Sequence, residues 1–176
     1  WTPDLIWFDN TRVYGTPSYH VQALFAKNRP DVAVPVTVTS TTPATEPTLA
    51  IPPAAPAAVA GAPAAGAAPV PAPAAKPLPA LFASAGRDAR SGELIVTVVN
   101  PFADAYTAEI ELHGTTRVVP DARATVLTSA SADDENSFEA PRKVAPHDET
   151  LKIAGATFPR TFPANSLTIL RLRVRE

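Results

Sequence analysis

Ser166-Leu167-Thr168-Ile169-Leu170-Arg171-Leu172-Arg173-Val174 is the stretch that decides the fold. Read with a period of two, it places Thr168, Leu170, Leu172 and Val174 on one face. Leu167, Ile169, Arg171 and Arg173 fall on the other. Successive side chains of a strand point to opposite sides of a sheet, so this is a strand that presents a continuous apolar row to a core. The residues before it repeat the pattern. Glu93–Val99 sets Leu94, Val96 and Val98 against Ile95, Thr97 and Val99, and Asn100-Pro101 stops it. Tyr106–His113 carries Ala108, Ile110 and Leu112 on one face and ends at Gly114; Glu109 and Glu111 form its solvent face. Leu81–Ala85, Arg117–Val119, Ala124–Ser129 and Leu151–Ile153 predict further short strands. A polar turn covers residues 87–92, and a long polar loop runs from Ser131 to Pro146. Many short strands separated by Gly, Pro and Asp turns predict an antiparallel β-sandwich or jelly roll over residues 81–176.

Upstream of this region the composition changes. About half of the 21 prolines lie between Pro43 and Pro79, in a segment of Ala and Pro with almost no charge. Such a segment can build neither a helix nor a ladder and has little to bury, so residues 41–80 are expected to be a semi-rigid or disordered insertion. Setting it aside leaves roughly 130 to 140 residues of ordinary globular sequence, enough for one core. Residues 31–39 alternate Val32, Val34, Val36 and Val38, which predicts a first sandwich strand over 31–40; Pro35 places it at an edge or a bulge.

Residues 1–30 differ again. Leu5-Ile6-Trp7-Phe8 is a continuous apolar run, expected to be a strand covered on both faces as in a parallel sheet. Thr16 is placed to cap a helix and Pro17 to open it. Val21, Leu24 and Phe25 form its apolar face, and Lys27-Asn28 its end. This is a βα unit without a sheet of its own, and the chain does not start with Met. It is expected to be the remnant of a larger protein. The loop of the unit lies beyond the strand's C-terminal end, the side that carries active sites in (β/α)8 barrels.

The net charge of -2 supplies no basic excess for nucleic acid. The absence of Cys removes disulfides, thiolate metal sites and a cysteine nucleophile. No apolar run reaches the roughly 18 to 20 residues of a membrane span. His20, His113 and His147 share no ligand spacing, and Asp133-Asp134-Glu135-Asn136 lacks the alternation and glycine of a calcium loop, so no metal and no cofactor is assigned.

Several residue groups together resemble family 51 glycoside hydrolases, the α-L-arabinofuranosidases. In the opening they are Trp1-x-Pro3-Asp4-Leu5-Ile6, Tyr14-Gly15-Thr16-Pro17-Ser18-Tyr19, Val21-Gln22 and Asn28. Later come Val98-Val99-Asn100-Pro101, Asp134-Glu135-Asn136-Ser137-Phe138 with Pro141, Lys143-Val144 and Pro146, then Thr161-Phe162-Pro163 and Ser166-Leu167-Thr168. The Ala/Pro insertion departs from that pattern, as does Pro30, where a glycine is usual.

The resemblance implies that residues 1–30 are the last βα unit of a (β/α)8 barrel. It implies a retaining hydrolase acting on arabinan or arabinoxylan, whose two catalytic glutamates lie upstream of this chain. The chain alone would be inactive. Its partner would be an arabinose-containing polysaccharide or oligosaccharide, and an oligomeric parent is compatible with it. A secreted or periplasmic parent is favoured; a related endoglucanase remains an alternative parent. Asp9 and Asn10 would then meet the sugar or a catalytic glutamate; the other reading is an Asx-type turn. Tyr14 and Tyr19 would rim the site or pack against loops, and Trp1 is a better pocket candidate than Trp7. A different class of reading makes the sandwich an accessory or carbohydrate-binding module, for which the exposed aromatics would be chiefly Phe102 and Tyr106.

Overall fold

The computed structural model describes residues 4–40 and 79–175. Trp1 and residues 41–78, which hold nearly all of the expected Ala/Pro insertion, lie outside the described residues. In chain order the elements are β1 (Ile6–Phe8), β2 (Val13–Gly15), α1 (Pro17–Lys27), β3 (Val32–Val34), β4 (Phe82–Arg87) and β5 (Glu93–Asn100). They continue with β6 (Tyr106–Glu111), β7 (Arg117–Val118), β8 (Asp121–Thr128), β9 (His147–Lys152), β10 (Thr157–Phe162) and β11 (Ser166–Arg175).

All strand pairs are antiparallel. The main sheet runs β3-β4-β5-β11-β8-β9, with β7 pairing the far end of β11. The decisive strand is thus central: β11 pairs β5 on one edge, from Ser166 opposite Asn100 to Arg173 opposite Glu93, and β8 on the other. A second sheet consists of β6 and β10. The two faces read from β11 pack into two different cores. Leu170, Leu172 and Val174 join Leu94, Val96, Val98, Ala124 and Val126 beneath Phe158 and Phe162 of the second sheet. Leu167 and Ile169 join Ile95 and Leu127 on the opposite face, where Leu24 of α1 and Val144 of the long loop cover them. The main sheet is therefore buried on both sides at its centre, which is why its central strands lack the polar alternation of a half-exposed sheet.

The helix forms as its caps dictate. Thr16 is extended (φ -71°, ψ 165°) and its Oγ1 accepts a bond from the Tyr19 N–H at 3.2 Å, with Pro17 in the first turn. At the other end the Asn28 backbone N–H and side-chain Nδ2 both donate to Leu24 O. Asn28 Oδ1 in turn accepts from Arg171 (2.9 Å), whose guanidinium also binds Glu93 (2.7 Å) and Asp88 (2.9 Å). One arginine on the outer face of β11 so pins the end of α1, the β4–β5 turn and β5. Gly86 permits a close approach next to it: a Cβ there would sit 2.5 Å from Pro30 Cβ and 2.7 Å from Val32 O.

Five expectations change. The run Leu5–Phe8 does contain a strand, but its side chains are exposed (Phe8 78%) and its partner among the described residues is β2, in a hairpin with Ile6 opposite Gly15 and Phe8 opposite Val13. A parallel sheet would need neighbours that the described residues do not supply. The expected strand 31–40 is cut to Val32–Val34, since Pro35 has no N–H for the ladder; of the edge or bulge that Pro35 implied, β3 is an edge. Of the expected apolar helix face, Leu24 is buried, Val21 half-buried and Phe25 exposed. Finally, β10 forms where no strand was expected, over Thr157-Phe158-Pro159-Arg160-Thr161-Phe162, although it carries a proline in its middle. In a two-stranded sheet each strand keeps an open edge, where a residue without N–H removes no ladder bond. β9 also begins earlier than Leu151, at His147, because the polar residues His147-Asp148-Glu149-Thr150 suit the exposed edge it occupies.

Candidate functional site: the first hairpin and the loop that braces it

The β1–β2 hairpin turns through Asp9-Asn10-Thr11-Arg12, closed by the Asp9 N–H donating to Arg12 O at 2.9 Å. The Asp9 carboxylate organises this turn. Its Oδ1 accepts from the backbone N–H of Thr11 (2.8 Å) and of Arg12 (2.7 Å), and from the Thr11 hydroxyl. Its Oδ2 accepts from Arg12 Nε at 2.9 Å and pairs with the same guanidinium at 2.8 Å. The Thr11 N–H bond, then the Arg12 side chain, hold the Asp9 pKa down at about 2. The Asp9 carboxylate thus forms an Asx-type turn, with both oxygens engaged inside it. Asn10 stands next to it, exposed, with no hydrogen bond of its side chain to any described residue.

Tyr14 lies opposite Trp7 across the hairpin, and its ring meets the Phe138 ring edge to face, with centroids 5.0 Å apart and planes at 89°. The Arg12 guanidinium lies 4.5 Å from the centre of the same Phe138 ring. Tyr19, the other tyrosine of the opening, packs on Gly15: a Cβ at Gly15 would meet Tyr19 Cδ1 at 2.3 Å, so a larger residue there would displace the ring. Tyr19 also contacts the His20 ring. His20 Nε2 is buried without a partner among the described residues, and burial first, then the charges of Arg142 and Lys27, push its pKa down.

The brace is the loop between β8 and β9. Asn136 is 5% exposed. Its Nδ2 donates to Gly15 O of the hairpin (2.8 Å) and to Val144 O (2.9 Å), and its Oδ1 accepts from Val144 N (2.7 Å). Each polar atom of this buried amide is therefore engaged, as burial demands. Asp134 folds the loop on itself: Oδ1 pairs with Lys143 at 2.9 Å and Oδ2 accepts from Ser131 N at 3.1 Å. The Lys143 hydrogen bond is the first cause that lowers its pKa. The acidic run read as a non-calcium loop is thus a scaffold, and it reaches the hairpin.

The structure brings Asp9, Asn10 and Tyr14 together on one hairpin, while Trp1 lies outside the described residues. Arg12 and Phe138 were not singled out as site residues. The Asp-x-x-Arg spacing of Asp9 and Arg12 could have signalled the first. The second depends on a contact between residues more than 120 positions apart and left no local signal. Phe102 and Tyr106, the aromatics that a sugar-binding face would use, are half-buried, and Tyr106 packs against the main core. Glu109 and Glu111 are exposed on β6. A cavity of about 560 Å³ opens between the sheets, lined mainly by apolar groups such as Val34, Ala85, Val96, Ile110 and Phe162; no residue of the hairpin borders it.

A family model described as the alpha-L-arabinofuranosidase C-terminal domain matches residues 1–166. Among curated relatives, an extracellular exo-alpha-L-arabinofuranosidase of Streptomyces chartreusis is 43% identical over 101 residues, 57% of this chain and 12% of that protein. Alpha-L-arabinofuranosidase 1 of Arabidopsis thaliana is 27% identical over 173 residues, 96% of this chain and 20% of that protein. The chain spans no more than about a fifth of the length of the curated relatives it matches. In fold it is similar to the arabinose-bound MgGH51 α-L-arabinofuranosidase, with a TM-score of 0.72 and 23% identity over 99% of this chain and 22% of that one. It is likewise similar to the GH51 arabinofuranosidase of Xanthomonas axonopodis pv. citri, with a TM-score of 0.68 and 21% identity over 96% of this chain and 28% of that one. Since the matched segment takes in the hairpin, the helix and nearly the whole sandwich at once, the chain belongs to the alpha-L-arabinofuranosidase C-terminal domain family.

Proposed function

We propose that this chain is the C-terminal part of a retaining α-L-arabinofuranosidase that releases terminal α-L-arabinofuranosyl groups from arabinan or arabinoxylan, and that it is inactive alone. The observation that carries the reading is the single family match running from the hairpin through the sandwich. A retaining mechanism needs two carboxyl groups about 5 to 5.5 Å apart across the glycosidic bond, one as nucleophile and one as acid then base. In this reading both are glutamates upstream of Trp1. Asp9 is held inside its own turn and exposed Glu109 and Glu111 share one strand face, so none of them is assigned that work.

The hairpin and α1 are the last βα unit of the barrel that carries the pair. The apolar side chains exposed on them, among them Ile6, Phe8, Val13 and Phe25, support this: scattered exposure is ordinary, but this group lies on one small unit and would be covered by the neighbouring barrel elements. Asn10 and Tyr14 contribute to the sugar pocket, Asn10 through its exposed amide and Tyr14 through its ring. The sandwich braces the barrel and supports an oligomer of the parent. A secreted or periplasmic parent agrees with the extracellular Streptomyces relative.

The test is the stereochemistry of the longer polypeptide on an aryl α-L-arabinofuranoside, followed by NMR of the first-formed sugar. The reading predicts α-L-arabinofuranose as that first product. Release of the β anomer, or no hydrolysis of arabinofuranosides at all, would overturn it.

A further inference from the structure

We infer that Phe138 and Asn136, carried on the sandwich loop, are positioning residues for the sugar-facing turn Asp9–Tyr14. The inference rests on the reading just proposed and adds to it a task for the sandwich beyond bracing. The turn itself is short of anchors. β1 and β2 are three residues each, β1 is exposed throughout and β2 buries none of its residues fully, and a two-stranded hairpin alone is marginal in water. Three residues of one loop supply what the hairpin lacks. The Phe138 ring meets Tyr14 edge to face and takes the Arg12 guanidinium at 4.5 Å. Glu139 lies 4.0 Å from the same guanidinium. Asn136 holds Gly15 O at 2.8 Å, the residue that ends β2.

The geometry forms a relay in which each group has a defined partner. Phe138 fixes Arg12, and Arg12 fixes Asp9 through two contacts. Asp9 fixes the backbone of Thr11 and Arg12 and so the side on which Asn10 projects. Asn136 is itself locked to both backbone polar groups of Val144, which is buried in the outer core with Ile169 and Leu167. The turn is therefore tied, through Asn136 and Val144, to the core that the central strand of the sandwich enters. Displacement of a contact group by about 1 Å costs catalysis heavily, so such ties have a catalytic consequence without chemistry of their own.

Two measurements test this. In this chain, hydrogen exchange is followed in Phe138→Ala and, as a second route to the same turn, Asn136→Ala. The inference predicts about tenfold faster exchange at the Thr11 and Arg12 amides while β5 and β11 keep their protection, which shows that the variant is folded. Unchanged exchange at Thr11 and Arg12 would overturn it. In the longer polypeptide, kcat/KM on an aryl arabinofuranoside falls about tenfold in Phe138→Ala and is restored by Phe138→Tyr, which keeps the ring. Asn10→Ala separates the two levels of the argument. If Asn10→Ala impairs turnover and Phe138→Ala does not, the positioning role is wrong. If neither affects turnover, the placement of this turn at the sugar is wrong, and the positioning role falls with it.

Discussion

Thr168 and Asn136 show two opposite outcomes for a buried polar side chain. Asn136 engages every donor and acceptor it uses, whereas Thr168 is fully buried on the inner face of β11 and its hydroxyl has no partner among the described residues. A buried hydroxyl without a bond costs about 1 to 3 kcal/mol, so Thr168→Val, which keeps the shape, raises unfolding free energy by about 1 kcal/mol in denaturant titrations. Asp9 provides a second residue-level prediction. Its folded pKa of about 2 lies below its ordinary 3.8, so its contribution is present above 3.8 and disappears as pH falls through about 2. A carboxyl-carbon NMR titration should therefore show its midpoint near 2; a midpoint at 3.8 would mean that the turn is not held as described. The role of Asp9 was only half legible. Asp followed by Asn reads as a turn or as a ligand, and the choice depends on where the Arg12 guanidinium lies, which spacing permits but does not dictate.

The elements divide by how local their causes are. The caps of α1 are written in consecutive residues, and Thr16→Ala is predicted to cost about 1 kcal/mol of stability. The faces of β11 follow from alternation alone, and both matched the cores that they enter. There Leu170→Ala, at a fully buried position, costs about 3 kcal/mol, against about 1 kcal/mol for Ile169→Val on the other face. β10 was missed because strand propensity is a statement about ladders, and Pro159 is tolerated only by the open edge that the tertiary fold provides. That strand is also joined to β9, at the edge of the main sheet, by the Arg160–Glu149 pair at 2.6 Å. The Arg160 hydrogen bond is the first cause that lowers the Glu149 pKa from its ordinary 4.5. The stabilisation from Glu149 is thus complete above 4.5 and declines as pH falls through the lower folded value. Glu149→Gln should flatten that part of the acid stability profile; an unchanged profile would show that the pair contributes nothing there.

At the scale of the whole molecule, the main sheet is sandwiched between β6 and β10 on one side and α1 with the loop before β9 on the other. Period-two patterning predicted the sheets but not the second cover, since a helix read as belonging to a barrel turns out to bury Leu24 on the sandwich. The opening unit and the sandwich are consequently bound together through Leu24, Asn28 and Asn136. This union is what makes the sandwich relevant to chemistry that, in the proposed reading, lies elsewhere in the polypeptide. The most direct test is turnover of an aryl α-L-arabinofuranoside by the purified 176-residue chain, with folding confirmed by protection of the β5 and β11 amides. The account predicts a folded protein that releases no aryl alcohol above background. Hydrolysis by the folded chain, abolished by substituting one of its own carboxylates, would contradict it.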